Sequence, residues 1–346
     1  MDAAMGRIAL DSNARECQYP IVYTLRFDMR APSADPASVA DLYRTAIEMA
    51  AWGEQHGCFS ALISEHHTSP DGYLPSPLVL ASAIAARTSS LPIIFGALLL
   101  NFYDPIKLAE DIAVLDIVSG GRVAYIIGLG YRPEEYAMFG VDMAERGKVM
   151  EAKLTALRRA LAGEVFDFEG RRVHVTPSPI SPGGPALMYG GHSTAAARRA
   201  GRFGLDFFAE GDSPGLEDAY RTAAAEAGTE PGNCIVPTGS NPTTLFIAED
   251  LDTAWDRIGP HMLHDAQMYR SWMGADHDAA SKSAATTVEE LRAEEGPYRI
   301  VTPAAAVEMI QAGQPLVLQP LCGGLNAEVA WESLHLLGER VLPALL

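Results

Sequence analysis

Residues 104–140 read DPIKLAEDIAVLDIVSGGRVAYIIGLGYRPEEYAMFG, and this stretch predicts a helix, a tight turn, a buried strand and a glycine-rich loop, in that order. Leu108, Ile112 and Leu115 recur at helical spacing, so one face of the helix is apolar. The segment 123–127 is apolar without alternation, which is typical of a parallel strand covered on both faces. The stretch therefore predicts one helix–strand unit of an α/β protein.

The alternation of apolar and helical segments continues along the chain and predicts a (β/α)8 TIM barrel, with a doubly wound sheet as the alternative. The predicted strands are residues 21–27, 59–64, 93–100, 123–127, 186–189, 205–209, 243–248 and 316–319. Two segments fall outside this rhythm: residues 165–175 predict an inserted β-hairpin, and residues 259–299 predict a long insertion after a helix that starts at 252–258. Because no stretch has the composition of a linker, we predict one domain over residues 1–346, with residues 1–18 as a poorly ordered lead-in or an arm on a partner.

The composition argues against several classes of protein. The formal net charge of −18 comes from 26 basic and 44 acidic residues, which argues against nucleic acid or an anionic membrane as a partner. The four cysteines are scattered, which predicts neither structural zinc nor disulfides and is consistent with a reducing compartment. No signal peptide and no apolar run of membrane-spanning length is evident, so we expect a cytoplasmic protein.

Glu65, His66 and His67 directly follow the second predicted strand, and a barrel carries its active site at the carboxyl ends of its strands. A histidine at that position is suited to proton transfer near neutral pH. The spacing alone nevertheless favours a structural pair that is hydrogen-bonded at the barrel rim. Adjacent residues on extended backbone point apart, so we predict no metal site from the two histidines.

The segment Gly190-Gly191-His192-Ser193 joins the fifth predicted strand to a helix. Free backbone N–H groups at a helix N-terminus, glycines that permit close approach and a serine hydroxyl together form an anion site. The alternative is a glycine turn in which Ser193 is an ordinary helix cap. Arg198 and Arg199, which follow on the helix, are predicted to lie on a solvated face.

The strings DPIKLAED, LDIVSGGR and GLGYRPEEYAMFGVD, in this order and spacing, closely resemble the bacterial luciferase-like family of flavin-dependent monooxygenases. The resemblance implies a TIM barrel that binds FMN at its C-terminal mouth and oxidises a small organic substrate with reduced FMN and O2. No G-x-G-x-x-G follows a predicted strand and opens a helix, so a separate flavin reductase is the expected source of electrons. A homodimer is expected on family grounds alone.

The same resemblance implies the roles of individual residues. His66 would lie beside the flavin as the catalytic proton donor or acceptor. The residues implied to bind the cofactor are Ala97, Leu98, Asn101, Gly128, Gly130, Tyr131, Gly190, Gly191, His192 and Ser193. A non-proline cis peptide, common in the family behind the flavin ring, is expected near 97–99. Gly128 stands where the α subunit of bacterial luciferase has a reactive cysteine, so light emission is not implied.

The sequence is also compatible with other functions. A coenzyme F420-dependent oxidoreductase, which transfers hydride without oxygen, would share the phosphate-binding end of the site. A flavin-binding protein without turnover and an unrelated phosphate-binding barrel are further alternatives. Met268, Tyr269 and Trp272 either close over an apolar substrate or pack the insertion on the barrel. The sequence does not identify the substrate.

Overall fold

A computed structural model describes residues 22–32, 35–211, 213–237, 241–273, 279 and 281–346. The prediction for residues 1–18 and part of the one for 259–299 therefore lie outside the described residues. The strands are β1 Tyr23–Phe27, β2 Ala61–Ile63, β3 Ile93–Leu99, β4 Val123–Gly128, β5 Phe166–Phe168, β6 Arg171–Val173, β7 Ala186–Gly191, β8 Asp206–Ala209, β9 Cys234–Ile235, β10 Thr244–Ile247, β11 Tyr298–Val301 and β12 Leu316–Leu318. The helices are α1 Pro36–Gln55, α2 Pro77–Arg87, α3 Pro105–Ser119, α4 Pro133–Phe139, α5 Arg146–Leu161, α6 Thr194–Phe203, α7 Leu216–Ala227, α8 Leu251–Trp272, α9 Val288–Ala293, α10 Pro303–Gln311 and α11 Ala327–Leu336.

Ten strands form one parallel sheet in the order β11-β10-β12-β1-β2-β3-β4-β7-β8-β9. The last strand, β12, pairs with the first, β1, and the next strands follow in chain order. This order, in which the last strand pairs with the first, is that of a TIM barrel, so the predicted fold is confirmed and the doubly wound alternative is wrong. Two short strands, β9 and β11, add to the eight predicted. Within the described residues no ladder joins β9 to β11.

The stretch 104–140 folds as its sequence predicts. Asp104 caps α3 by accepting hydrogen bonds from the backbone N–H groups of Ile106 and Lys107, at 2.8 and 3.3 Å. Gly120 ends the helix in the left-handed conformation, with φ of 68°. Every residue of β4 is buried. The loop after β4 is thereby fixed at the carboxyl-terminal rim of the barrel.

The two predicted insertions have different outcomes. The hairpin is present, since β5 and β6 pair antiparallel within residues 166–173. The first part of the insertion predicted over 259–299 is helical, because α8 continues through Pro260 to Trp272. A proline inside a helix costs one backbone hydrogen bond. Here the buried face of α8 continues on both sides of the proline, so packing outweighs that local cost.

Candidate active site

His66 lies at the carboxyl end of β2, and its side chain is held by a carboxylate from another element. Its Nδ1 lies 2.8 Å from Glu135 Oε1 of α4, and the same oxygen accepts the backbone N–H of His67 at 2.8 Å. Both side chains are buried, with His66 7% exposed. The contact leaves Nε2 as the ring atom available for proton transfer, and the Tyr131 hydroxyl lies 3.4 Å from it. Sequence reasoning missed Glu135.

Burial and hydrogen bonding act on the pKa of this pair in opposite directions. Burial lowers the pKa of His66 below its usual value, although the hydrogen bond to Glu135 opposes that shift. Burial acts to raise the pKa of Glu135, but the hydrogen bonds from His66 and from the His67 N–H outweigh it and lower that pKa. In this pair, burial favours the neutral form of the imidazole, while the hydrogen bonds favour the ionised form of the carboxylate.

Glu65 and His67 form the structural pair that the spacing alone favours. Glu65 Oε1 lies 2.9 Å from His67 Nε2 and accepts the Tyr103 hydroxyl at 2.7 Å. Its other oxygen accepts the backbone N–H of Leu99 at 2.8 Å. These contacts join the end of β2 to the end of β3. His66 and His67 therefore differ in their carboxylate partners. His66 binds Glu135 of α4 through Nδ1, whereas His67 binds the nearby Glu65 through Nε2.

The ends of β3 and β4 pack closely against each other. The cis peptide joins Gly96 to Ala97, at the start of the segment where it is expected, and the pairing with β4 shifts register at this point. A Cβ added to Gly128 would lie 2.8 Å from the Ala97 Cβ. Leu98 is fully buried. A side chain at position 128 would therefore clash with Ala97, whether or not a ligand binds there.

Asn101 is fully buried below the loop that follows β4. Its side-chain amide donates to the Tyr136 hydroxyl at 2.9 Å and to the Arg146 carbonyl at 3.1 Å. Its Oδ1 has no hydrogen-bond partner within the described part of the chain. Gly130, in the loop above, adopts a φ of 81°, and a Cβ there would lie 3.3 Å from the Phe102 ring. Asn101 thus supports the loop that carries Gly130, and a role in cofactor binding stays a prediction.

The segment 190–193 forms a close-packed turn at the end of β7. A Cβ on Gly190 would lie 2.7 Å from Ile126 Cγ2, and one on Gly191 would lie 2.7 Å from the Ala196 Cβ. Ser193 caps α6 by accepting the Ala196 N–H at 3.2 Å. A hydroxyl that accepts a hydrogen bond still has its own proton to donate. Ser193 can therefore cap α6 and also donate to an anion.

The predicted solvated face of α6 needs one correction. Arg199 is only 11% exposed, because it packs between β7 and α5. It donates to the Tyr189 hydroxyl at 3.1 Å and to Glu151 at 3.1 Å. Arg198 is exposed as predicted.

Four aromatic rings surround the imidazole of His66. Their centroids lie between 4.8 and 6.5 Å from that of His66, and they belong to Tyr73, Tyr131, Tyr269 and Trp272. Two of these rings come from the C-terminal end of α8, which therefore lies over the mouth of the barrel. Arg30 and Arg132 lie over the Trp272 ring, at 4.5 and 4.1 Å from its centroid. The rings shield His66 from water.

A buried charge cluster fixes α8 to the barrel, and sequence reasoning missed it. Arg30 is fully buried; its Nη1 donates to Asp71 Oδ2 at 2.6 Å, and its Nε lies 2.7 Å from Asp265 Oδ1 and 3.4 Å from Asp28 Oδ2. The Nε–Asp265 contact is ionic, since its angle does not suit a hydrogen bond. Burial and the nearby Asp265 carboxylate raise the pKa of Asp28 to about 7.

Comparison with known proteins places the chain in a family. The model of the luciferase-like monooxygenase family matches residues 24–314, so the chain belongs to that family. Uncharacterized protein y4vJ of Sinorhizobium fredii is 30% identical over 204 residues, which make up 56% of this chain and 58% of that protein. The chain spans about half the length of the curated relatives it matches.

Solved structures share the fold at low identity. Monooxygenase RslO1 from Streptomyces bottropensis has a TM-score of 0.72 at 23% identity, covering 94% of this chain and 99% of that one. The oxygenating constituent of 3,6-diketocamphane monooxygenase from Pseudomonas putida, solved in complex with FMN, has a TM-score of 0.65 at 20% identity, with the same coverage of both chains. An F420-dependent secondary alcohol dehydrogenase has a TM-score of 0.61 at 14% identity, covering 89% and 98%.

The described residues contain neither a candidate membrane span nor a candidate metal site. No helix among them is long and apolar enough to cross a membrane. No group of three or more histidine, cysteine, aspartate or glutamate side chains in that part of the chain is arranged to hold a metal ion.

Proposed function

We propose that this chain is a monooxygenase that uses reduced FMN and O2 to oxidise a small organic substrate. The observation that carries the proposal is the placement of the buried His66–Glu135 pair and the glycine turn 190–193 at the same end of one barrel. Family membership and the likeness to a barrel solved with FMN support the choice of cofactor.

The donor set fits a phosphorylated flavin. The backbone N–H groups at the start of α6, the Ser193 hydroxyl and the His192 side chain would hold the phosphate. The surfaces of Ala97, Gly128 and Gly130 would lie against the ring system. Reduced FMN, when bound, supplies the electrons that activate O2.

The protein supplies a proton site and a dry environment. Glu135 fixes the ring of His66 through Nδ1, so Nε2 can hold or move a proton at the substrate. The rings of Tyr131, Tyr269 and Trp272 limit the access of water to that atom. The expected partners are the organic substrate, O2 and a separate reductase that delivers reduced flavin.

An F420-dependent hydride transfer is the second candidate, because a barrel of this fold uses that cofactor. Anaerobic titration of the purified protein with reduced FMN and, separately, with reduced F420 distinguishes the two. We expect reduced FMN to bind with one equivalent per chain and to be reoxidised, after air is admitted, at a rate different from that of free reduced FMN. Binding of F420 alone, without any response to oxygen, would contradict the proposal. Flavin binding without oxidation of any substrate would instead indicate a binding protein.

We also propose a homodimer formed through α2 and α3. Val79, Val114, Ile117 and Val118 lie on these neighbouring helices and are 40% to 71% exposed. Replacing both Val114 and Val118 with glutamate places charges in this face, so light scattering should show a monomer. The wild type should show twice the chain mass of 37.0 kDa.

The control for this prediction is Val165→Glu, which introduces one such charge at another half-exposed valine, beside the hairpin. It should leave the dimer intact. A wild-type monomer, or a double variant that remains dimeric, would contradict the assignment of the interface.

A further inference from the structure

A surface cavity of about 280 Å³ lies between the loop after β3, the end of α4, helix α5 and the turn of the hairpin β5–β6. Three phenylalanine rings line it: Phe102 from the loop, Phe139 from α4 and Phe168 from the hairpin. The rings of Phe102 and Phe139 are stacked, with centroids 5.0 Å apart. Walls of this kind favour a planar aromatic ligand, because aromatic rings pack well on one another.

The basic side chain in the lining of this cavity is Lys153 of α5, which is half-buried. Its Nζ donates to the backbone carbonyls of Asn101 and Tyr103, at 2.6 and 2.8 Å, so the ammonium has a fixed position. An ammonium group has three protons, and these two carbonyls accept two of them. The third proton can be donated to a ligand, and a carboxylate forms a stronger hydrogen bond with it than a neutral acceptor does.

Two carboxylates at the rim of the cavity, Asp104 and Glu169, are paired with a cation of their own. Arg171 Nη1 lies 2.6 Å from Asp104 Oδ2, and Arg171 Nη2 lies 3.4 Å from Glu169 Oε2. Both carboxylates are exposed, so water and salt screen them further. Together with Lys153, these side chains carry two positive and two negative charges, so the rim has no net negative charge to oppose an anion.

The cavity lies on the side of the motif that His67 faces, whereas His66 faces the barrel mouth. The His67 ring packs against Phe102 and Phe139, with centroid distances of 5.6 and 4.7 Å. Among the described residues, neither of these rings is one of the four that surround His66. A ligand in the cavity would therefore lie apart from the Nε2 atom that we propose as the proton site.

We propose that this cavity is a second binding site, which takes a small planar aromatic carboxylate. The ring of the ligand lies against the three phenylalanines, and its carboxylate accepts a hydrogen bond from Lys153 Nζ. Concave, mostly apolar walls with one placed polar group are typical of a site for a small molecule. The inference goes beyond the proposed function and does not depend on which cofactor the barrel binds.

The test is saturation-transfer NMR of the purified protein with benzoate and, separately, with benzyl alcohol, which has the ring without the charge. We expect benzoate to bind with a dissociation constant on the order of 1 mM, the affinity that about nine non-hydrogen atoms supply, whether or not FMN is added. Lys153→Met should weaken benzoate binding by about tenfold or more, because the charge-assisted hydrogen bond is lost. The same variant should change the binding of benzyl alcohol by less than about twofold, because that probe has no charge to pair with the ammonium.

Lys148→Met is the matched control. Lys148 lies on the same helix with its side chain 87% exposed, so its replacement removes the same charge outside the cavity. It should leave the binding of both probes unchanged. Absence of benzoate binding, equal binding by the wild type and Lys153→Met, or displacement of benzoate by FMN overturns the inference.

A second variant decides the outcome if Lys153→Met does not fold, because Lys153 also holds the loop after β3. Phe139→Ala keeps the ammonium and removes one aromatic wall, at a side chain that is 38% exposed. It should weaken the binding of both probes. Unchanged binding of benzoate and benzyl alcohol by Phe139→Ala would place the ligand elsewhere and overturn the inference.

Discussion

Replacing His66 with alanine is expected to lower turnover by about 10²- to 10⁴-fold, the contribution that a positioned acid or base makes. FMN binding should stay within a few-fold of the wild type, because the turn 190–193 that we propose for the phosphate follows β7, away from His66 at the end of β2. The physical reason is that His66 Nε2 would be the proton site of the proposed mechanism, while its Nδ1 is bound to Glu135. Single-turnover oxidation of bound reduced FMN in the presence of substrate measures the effect separately from binding.

Glu135→Gln tests how His66 is positioned. Glu135 acts to raise the pKa of His66, against the dominant lowering by burial, so removing the charge should lower that pKa further. The limb of the pH–rate profile that reports His66 should therefore move to lower pH, while the folded state is retained. An unshifted profile would contradict the positioning role of Glu135. Full turnover by His66→Ala with flavin bound would contradict the proposed mechanism as a whole.

The motifs predicted from the sequence are those whose residues are close together in the chain. His66 and the turn 190–193 each lie directly after a strand, so the barrel pattern alone places them at one rim. Glu135 lies 69 residues from His66, and nothing in its local sequence distinguishes it from the exposed Glu134 beside it. Only the structure shows that position 135, next to the buried Tyr136, lies on the buried face of α4.

The region after β10 shows where local rules fail. The predicted helix starts at residues 252–258 and the predicted insertion begins at 259, whereas in the structure α8 continues to Trp272 as a 22-residue helix. The apolar and polar residues that stabilise it, such as Asp265 and Tyr269, find their partners on β1 and its loop, more than 230 residues earlier in the chain. Local helix propensity contains no information about contacts between residues so far apart in the chain.

The second large effect is expected from Arg30→Met, which should lower the free energy of unfolding by about 3–5 kcal/mol at pH 8. The reason is that Asp28, Asp71 and Asp265 all contact this guanidinium, and removing it leaves buried carboxylates without their common cation. Methionine fills much of the same volume, so the loss reports charge more than packing. Urea unfolding followed by circular dichroism measures it.

The pH dependence of this loss identifies its cause. Carboxylates that lose their cation have a folded-state pKa raised above the unfolded value, so the folded state of the variant binds extra protons at low pH. The stability deficit relative to the wild type should therefore shrink from pH 8 to pH 5. Arg257→Met is the matched control, because Arg257 lies on α8 and pairs with Glu332 across the surface, where both side chains are about half exposed. That variant should lose less than about 1 kcal/mol at either pH. An equally small, pH-independent loss in Arg30→Met would show that the cluster is not held by its charges, and that α8 stays on the barrel mouth through its aromatic contacts alone.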